Sequence, residues 1–361
     1  MQFLGLEYDR HELRKRIGHL SQIAGIRPVE WLDGSDRGVR AFEINTGSGL
    51  QLTLLGDRAL DIFDATFHGF SLCHHSPAGL VSPALYDLSG TGWPWSPTGG
   101  LLTTWGMTRI GLTDEEDEEE YGAAGHISAI PAKSVSFGAD WEGEEYVMWA
   151  EGEVRQARPV GLNLLLQRSV HARLGEAKIF IKDTVENQGF ARAPLFLLYQ
   201  CNFGFPLLNE GAELIAVIED LQARNDVAER AVDSFDRFEA PQPDYDEQVF
   251  YLDHDADDKE IVRTALVNRS FQNNQGLGVY LKYSKKELPR CTLWKMLAEG
   301  VYIAGIAPGN CLPEAGTTEG EKNGGNFIEP GESRTFHLEI GVLASNSDIR
   351  AFENSLRGLD F

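Results

Sequence analysis

The chain has 361 residues, 42% of them hydrophobic and 24% charged, with a formal net charge of −23. That is ordinary globular composition with material for a sizeable core, and the charge repels phosphate backbones and anionic lipid surfaces, so nucleic-acid and membrane-surface roles are excluded as first readings. Four cysteines (Cys73, Cys201, Cys291, Cys311) without a CxxC pair argue against a disulfide framework or structural zinc, and the chain shows neither a signal-like start nor an apolar run of about 18 residues; a soluble cytoplasmic protein is expected.

In chain order, the stretch 9–25 (DRHELRKRIGHLSQIAG) predicts a short helix from Leu13, Ile17 and Leu20. Residues 1–30 are read as a helical lead-in and 31–361 as one domain. From 39 to 67 (VRAFEINTGSGLQLTLLGDRALDIFDATF) apolar and polar residues alternate between Gly-rich turns, which predicts two or three strands. The same texture continues through EYVMWAEGEV, GLNLLLQRSVHARL, AKIFIKDTVENQG, LGVYLKYS, CTLWKML, VYIAGI and RTFHLEIGVL. In KIFIKDTVEN, Ile179, Ile181, Asp183 and Val185 share one face. Residues 220–247 and 312–326 are read as long surface loops. Many short strands, few helices and no βαβ rhythm predict an all-β fold, a large antiparallel β-sandwich with one short N-terminal helix.

No phosphate loop, GxSxG, HExxH or EF-hand pattern is present, so no cofactor is implied. His74 and His75 are adjacent, and neighbouring residues on a strand face opposite ways, so no metal site is assigned. The acidic run 114–120 (DEEDEEE) is read as a solvated loop, and the Trp93/Trp95 loop as a sugar-ring platform or a plug on the sandwich. Polar residues concentrate at three places within apolar surroundings: Arg58 and Asp61, His126, and Tyr199, Gln200 and Asn202 in YQCNFGFPLL. Each has a plain structural alternative, an ion pair for Arg58–Asp61 and a carbonyl partner for His126. Converging on one concave face, they would make a polyol site, with several fixed donors and acceptors over an apolar floor.

The blocks RKRIGHLSQIAGIR, RGVRAFEINTGSGL, DRALDI, GGLLTTWGMTRIG, GHISAIPA, YQCNFGFPLL, WKMLAEGVYIAGIAPGNC and PGESRTFHLEIGVL resemble, in order, a branch of the aldose 1-epimerase (galactose mutarotase-like) superfamily. The resemblance implies a single β-sandwich that binds a sugar in a cleft on one sheet. It also implies anomer interconversion, in which a carboxylate base and an imidazolium acid open and reclose the ring. Arg58 and Asp61 match an Arg-Gly-x-Asp block with Ala59 in place of Gly; His126 and Asn202 match their blocks; Lys295 matches WKM. Gln200 stands where the branch carries His, and Ala307 where it carries Glu. The expected catalytic residues are therefore His126, Asp61, Lys295 and Tyr199, with Glu186 and Glu314 as further acid–base candidates. The expected substrate-binding residues are Arg58, His126, Gln200, Asn202, Lys295 and Trp105. The partner expected is a small sugar or sugar derivative, with no nucleic acid and no membrane; a homodimer is left open. The expected activity is carbohydrate isomerase-like chemistry altered by the loss of the His/Glu pair, the alternative being an inactive sugar-binding or sensing protein.

Overall fold

Period-two alternation along the strands buries one face of each, and the buried faces build two antiparallel sheets that stack. The structure, a computed structural model, describes all residues except 1, 4, 86–98, 111–124, 126, 314–325 and 357–361. The nine-stranded sheet runs from Arg237–Phe238 through Ala212–Ala216, Ile261–Asn268, Leu277–Ser284, Ser333–Leu343, Lys178–Asn187, Asn163–Arg173 and Glu145–Ala157 to Lys133–Glu142. The eleven-stranded sheet runs from Ile218–Ala223 through Gln248–His254, Arg290–Ala298, Val301–Gly309, Phe196–Phe203, Leu102–Met107, Asp61–Phe67, Leu50–Leu55 and Arg40–Asn45 to Gly25–Glu30, with Phe70–Ser71 attached to Asp61–Phe67. One core lies between the sheets. Leu164, Leu166, Val170, Ile179, Ile181 and Val185 from the first meet Leu52, Leu54, Ile62, Leu197, Tyr199 and Phe203 from the second.

The all-β sandwich expected from the alternation is what forms, and the 39–67 stretch makes three strands. The helix expected over 9–25 is shorter: Arg10–Arg14, capped by the Asp9 carboxylate on the Glu12 amide at 2.6 Å, then a single 3-10 turn at Leu20–Gln22. Gly18 and the extended His19 interrupt it, although Leu13 is buried and Ile17 and Leu20 pack on the core as their spacing required. Gly25–Glu30 pairs along its whole length with Arg40–Asn45, so the lead-in shares the sheet. The longest helix among the described residues is the C-terminal Asn346–Leu356, which burial of Ile349 and Leu356 holds in place and which the strand alternation did not predict.

The stretch 220–247 is also more structured than a surface loop. It carries the end of the Ile218–Ala223 strand, a helical turn at Asp226–Glu229 and the short strand Arg237–Phe238, with Ala228 and Phe238 buried. No helix among the described residues is long and apolar enough to cross a membrane.

Candidate functional site

The strand Phe196–Phe203 lies in the middle of the eleven-stranded sheet, and all eight of its residues are buried. Leu197, Tyr199, Cys201 and Phe203 point into the inter-sheet core, so Phe196, Leu198, Gln200 and Asn202 occupy the outer face. On one side Leu198 opposes Trp105 and Gln200 opposes Thr103. On the other, Leu198 opposes Gly309 and Asn202 opposes Gly305, a register that sets Gln200 across from Ala307. The next strand adds Thr292 opposite Ala307 and Trp294 opposite Gly305. Gln200 and Ala307, the two positions that the resemblance sets against His and Glu, are thus neighbours on one face.

Gln200 Nε2 donates to Asn202 Oδ1 at 3.0 Å, and Asn202 Nδ2 donates to the Gly100 carbonyl at 3.3 Å. Gly305 makes room for this amide, because a Cβ there would lie 2.2 Å from Gln200 Nε2. Trp105 packs with Phe196, Leu198, Ala307, Ile110 and Cys311 in a separate apolar cluster. Trp294 donates its indole N–H to Glu247 at 3.1 Å, and Thr292 Oγ1 is buried with no hydrogen-bond partner among the described residues. The outer face thus gathers two amides, a hydroxyl and two indoles beside an apolar cluster.

The other expected site residues lie elsewhere. Asp61 and Tyr199 face inward, into a buried network built around Arg168. The Arg168 guanidinium holds Asp183 through two contacts of 2.9 and 2.6 Å, Asp61 at 2.7 Å, Thr104 Oγ1 at 2.8 Å and the Ala59 carbonyl at 3.0 Å. Asp61 also accepts from the Thr104 amide (2.9 Å) and hydroxyl (2.6 Å), and the Tyr199 hydroxyl donates to Asp183 at 2.7 Å. Burial pushes the Asp61 carboxyl up and the Tyr199 phenol well up, more than the single guanidinium shared by two carboxylates offsets. These groups pin one sheet to the other, and Asp61 with Arg58 also lines a small cavity shared with Phe63, Gly99 and Thr103, the last of which opposes Gln200.

The turn that presents Asp61 has the backbone that suits the glycine the resemblance sets at position 59. Ala59 and Leu60 both have left-handed backbone (φ 52° and 57°), a conformation that costs a side-chain-bearing residue about 1 kcal/mol. The partner expected for Asp61 was Arg58, but the ion pair forms with Arg168. Arg58 is buried instead beneath the Val81 carbonyl, to which its Nε donates at 3.0 Å, and the Ser128 carbonyl, to which Nη1 donates at 3.4 Å.

Lys295 is also on the inner side. Its strand neighbour is Ala304, itself opposite Phe203, and Nζ is enclosed by the Ser234 (3.2 Å) and Arg237 (2.7 Å) carbonyls, 5.1 Å from the Phe238 ring. Burial lowers its ammonium to about 8. Lys295 therefore does not join Gln200 and Asn202; it secures the short Arg237–Phe238 strand. Glu186 accepts from Gln188 Nε2 at 2.7 Å on the Lys178–Asn187 strand of the other sheet, away from the site. His126, Glu314, the Trp93/Trp95 loop and the acidic run fall outside the described residues.

Arg168, Asp183 and Thr104 went unassigned in the sequence. Their signal was present: Arg168 interrupts the inward series Leu164, Leu166, Val170, and Asp183 interrupts Ile179, Ile181, Val185, and a charge at an inward position needs a partner. A second cluster joins Asp64 with the alternate residues Cys73 and His75, whereas the adjacent His74 and His75 do not share it. It borders the outer face: His75 bridges to Gly99, whose carbonyl accepts from Thr103 Oγ1, opposite Gln200.

The two stacked antiparallel sheets have the galactose mutarotase-like β-sandwich fold. Among similar solved structures is a "putative aldose 1-epimerase" from Klebsiella pneumoniae, at a TM-score of 0.86 and 23% identity over 93% of this chain and 88% of that one. A galactose mutarotase-like protein from Clostridium acetobutylicum superposes at 0.60 with 11% identity over 89% and 99%. The galactose 1-epimerase from Lactobacillus acidophilus does so at 0.56 with 11% identity over 88% and 98%. A search of curated proteins finds no match. The chain belongs to the family described as Domain of unknown function (DUF4432), whose model matches residues 36–342.

Proposed function

We propose that the protein binds a sugar or sugar derivative on the outer face of the eleven-stranded sheet and acts at or near its anomeric centre with chemistry altered from plain mutarotation. The observation that carries this reading is Gln200 directly across from Ala307, hydrogen-bonded to Asn202 and bordered by Trp105 and Trp294. The amides suit sugar hydroxyls as paired donors and acceptors, and the indoles suit the apolar ring face. Neither Gln200 nor Ala307 exchanges a proton near neutral pH, and Asp61, Tyr199 and Lys295 are turned to the other side of the sheet. Proton transfer then falls to His126, and loss of an acid and a base costs about 10²–10⁴-fold each when they act separately. The same observation supports the second reading, a sugar-binding protein without catalysis.

Exchange NMR on α-glucose and α-galactose, paired with sugar binding by calorimetry, tests both. Binding with weak anomer exchange that His126→Gln abolishes supports the enzyme. Binding with exchange equal to buffer supports the binding protein. Gln200→His with Ala307→Glu should raise exchange at least tenfold. No sugar binding, together with no gain in the double variant, would remove both readings.

A further inference from the structure

The outer rim of the same sheet carries three unlike donor atoms in mutual contact. Cys73 Sγ is 3.4 Å from His75 Nε2, His75 Nε2 is 3.3 Å from Asp64 Oδ1, and Cys73 Sγ is 3.9 Å from Asp64 Oδ1. We propose that Asp64, Cys73 and His75 are the three protein ligands of a zinc-type divalent metal site whose fourth position opens to solvent.

The distances carry the assignment. Zinc bonds of about 2.3 Å to sulfur, 2.0–2.1 Å to imidazole nitrogen and 2.0–2.2 Å to carboxylate oxygen, set at tetrahedral angles, put nitrogen and oxygen about 3.4 Å apart and sulfur about 3.6 Å from each. The three separations here depart from those edges by about 0.3 Å at most, so one ion seats with side-chain adjustments of a few tenths of an ångström. A nucleophilic triad is the rival arrangement, and it needs the imidazole to serve its two partners through two different nitrogens. Here thiol and carboxylate converge on the same Nε2, as ligands converge on an ion.

The surroundings hold these donors in place. Cys73 and His75 are alternate residues beside the end of the Phe196–Phe203 strand, where Cys73 bridges Phe203 and His75 bridges Gly99. The Phe63 ring packs on the His75 ring at a centroid distance of 4.8 Å and limits its rotation. Ser71 Oγ lies 3.8 Å from Cys73 Sγ and donates to the Cys73 carbonyl at 3.1 Å, supporting the sulfur from behind. The thiol is buried, whereas the His75 and Asp64 side chains are 43% and 37% exposed. That leaves an approach on one side, the pattern of sites with three protein ligands and an exchangeable fourth. The mixed sulfur, nitrogen and oxygen set selects a borderline ion such as zinc over magnesium or calcium, which take oxygen.

The site stands independently of the sugar reading, and its test needs no activity. The full chain, stripped with chelator, is titrated with Zn²⁺ by calorimetry and with Co²⁺ by absorption. The expected result is one ion per chain, with cobalt giving a thiolate charge-transfer band and the strong visible bands of four-coordinate geometry. Cys73→Ser should abolish the charge-transfer band, and His75→Gln and Asp64→Asn should each weaken binding at least tenfold. Thermal unfolding of each variant shows whether it keeps its fold, and exposed His75 and Asp64 make those two safe against collapse. No stoichiometric binding, six-coordinate cobalt spectra, or binding unchanged in Cys73→Ser and His75→Gln would overturn the assignment; the last of these would trace the ion to the acidic run.

Discussion

Replacing Arg168 with Met removes the single cation shared by two buried carboxylates. Asp183 would retain the Tyr199 hydroxyl, and Asp61 the Thr104 amide and hydroxyl, but the five guanidinium contacts would be gone. Breaking a buried ion pair on one side costs about 3–5 kcal/mol. A ceiling follows from proton uptake, since a stranded carboxylate can protonate. Starting from an ordinary value near 3.9, that costs about 4 kcal/mol at pH 7 and about 1.5 kcal/mol at pH 5 for each group. The expected outcome is a loss of about 3–5 kcal/mol at pH 7 that shrinks by about 2 kcal/mol or more at pH 5. Urea unfolding of wild type and variant at both pH values measures it. A loss below about 1 kcal/mol, or one equal at the two pH values, would refute the claim that Arg168 neutralises both aspartates.

His254 is buried with its Nδ1 against the Tyr283 hydroxyl at 3.1 Å and its folded value held down to about 4 from 6.5. A depressed base favours the unfolded state as it protonates, so stability should be full above pH 6.5 and fall by up to about 3 kcal/mol between 6.5 and 4. His254→Gln should flatten that part of the urea profile. Gly305→Ala, whose Cβ would meet the end of the Gln200 side chain at 2.2 Å, should displace that amide and lower sugar affinity while shifting unfolding by about 1 kcal/mol or less; unchanged calorimetric affinity would count against the outer-face site. Lys295→Met should cost about 1–3 kcal/mol by leaving the Ser234 and Arg237 carbonyls unsatisfied, with sugar binding retained. Loss of binding in a variant that still unfolds cooperatively would return Lys295 to the site.

Strand alternation is a local property, so the sequence by itself determined the β-sandwich and the two-faced character of KIFIKDTVEN, and it marked Gln200 and Asn202 as polar residues in an apolar strand. It also singled out Gln200 and Ala307 through the resemblance, because each position can be compared one residue at a time. It could not say that Gln200 lies across from Ala307, since strand register between segments a hundred residues apart is set by pairing and not by either segment alone. Nor could it decide which face Asp61, Tyr199 and Lys295 would take. Alternation separates two faces without naming the one that turns inward, and packing of the nine-stranded sheet, with Arg168 and Asp183 reaching across, assigned these residues to the core. The approach of Asp64 to Cys73 and His75 follows from the tight hairpin in which Phe70–Ser71 turns back along Asp61–Phe67, a local register on which strand alternation alone is silent.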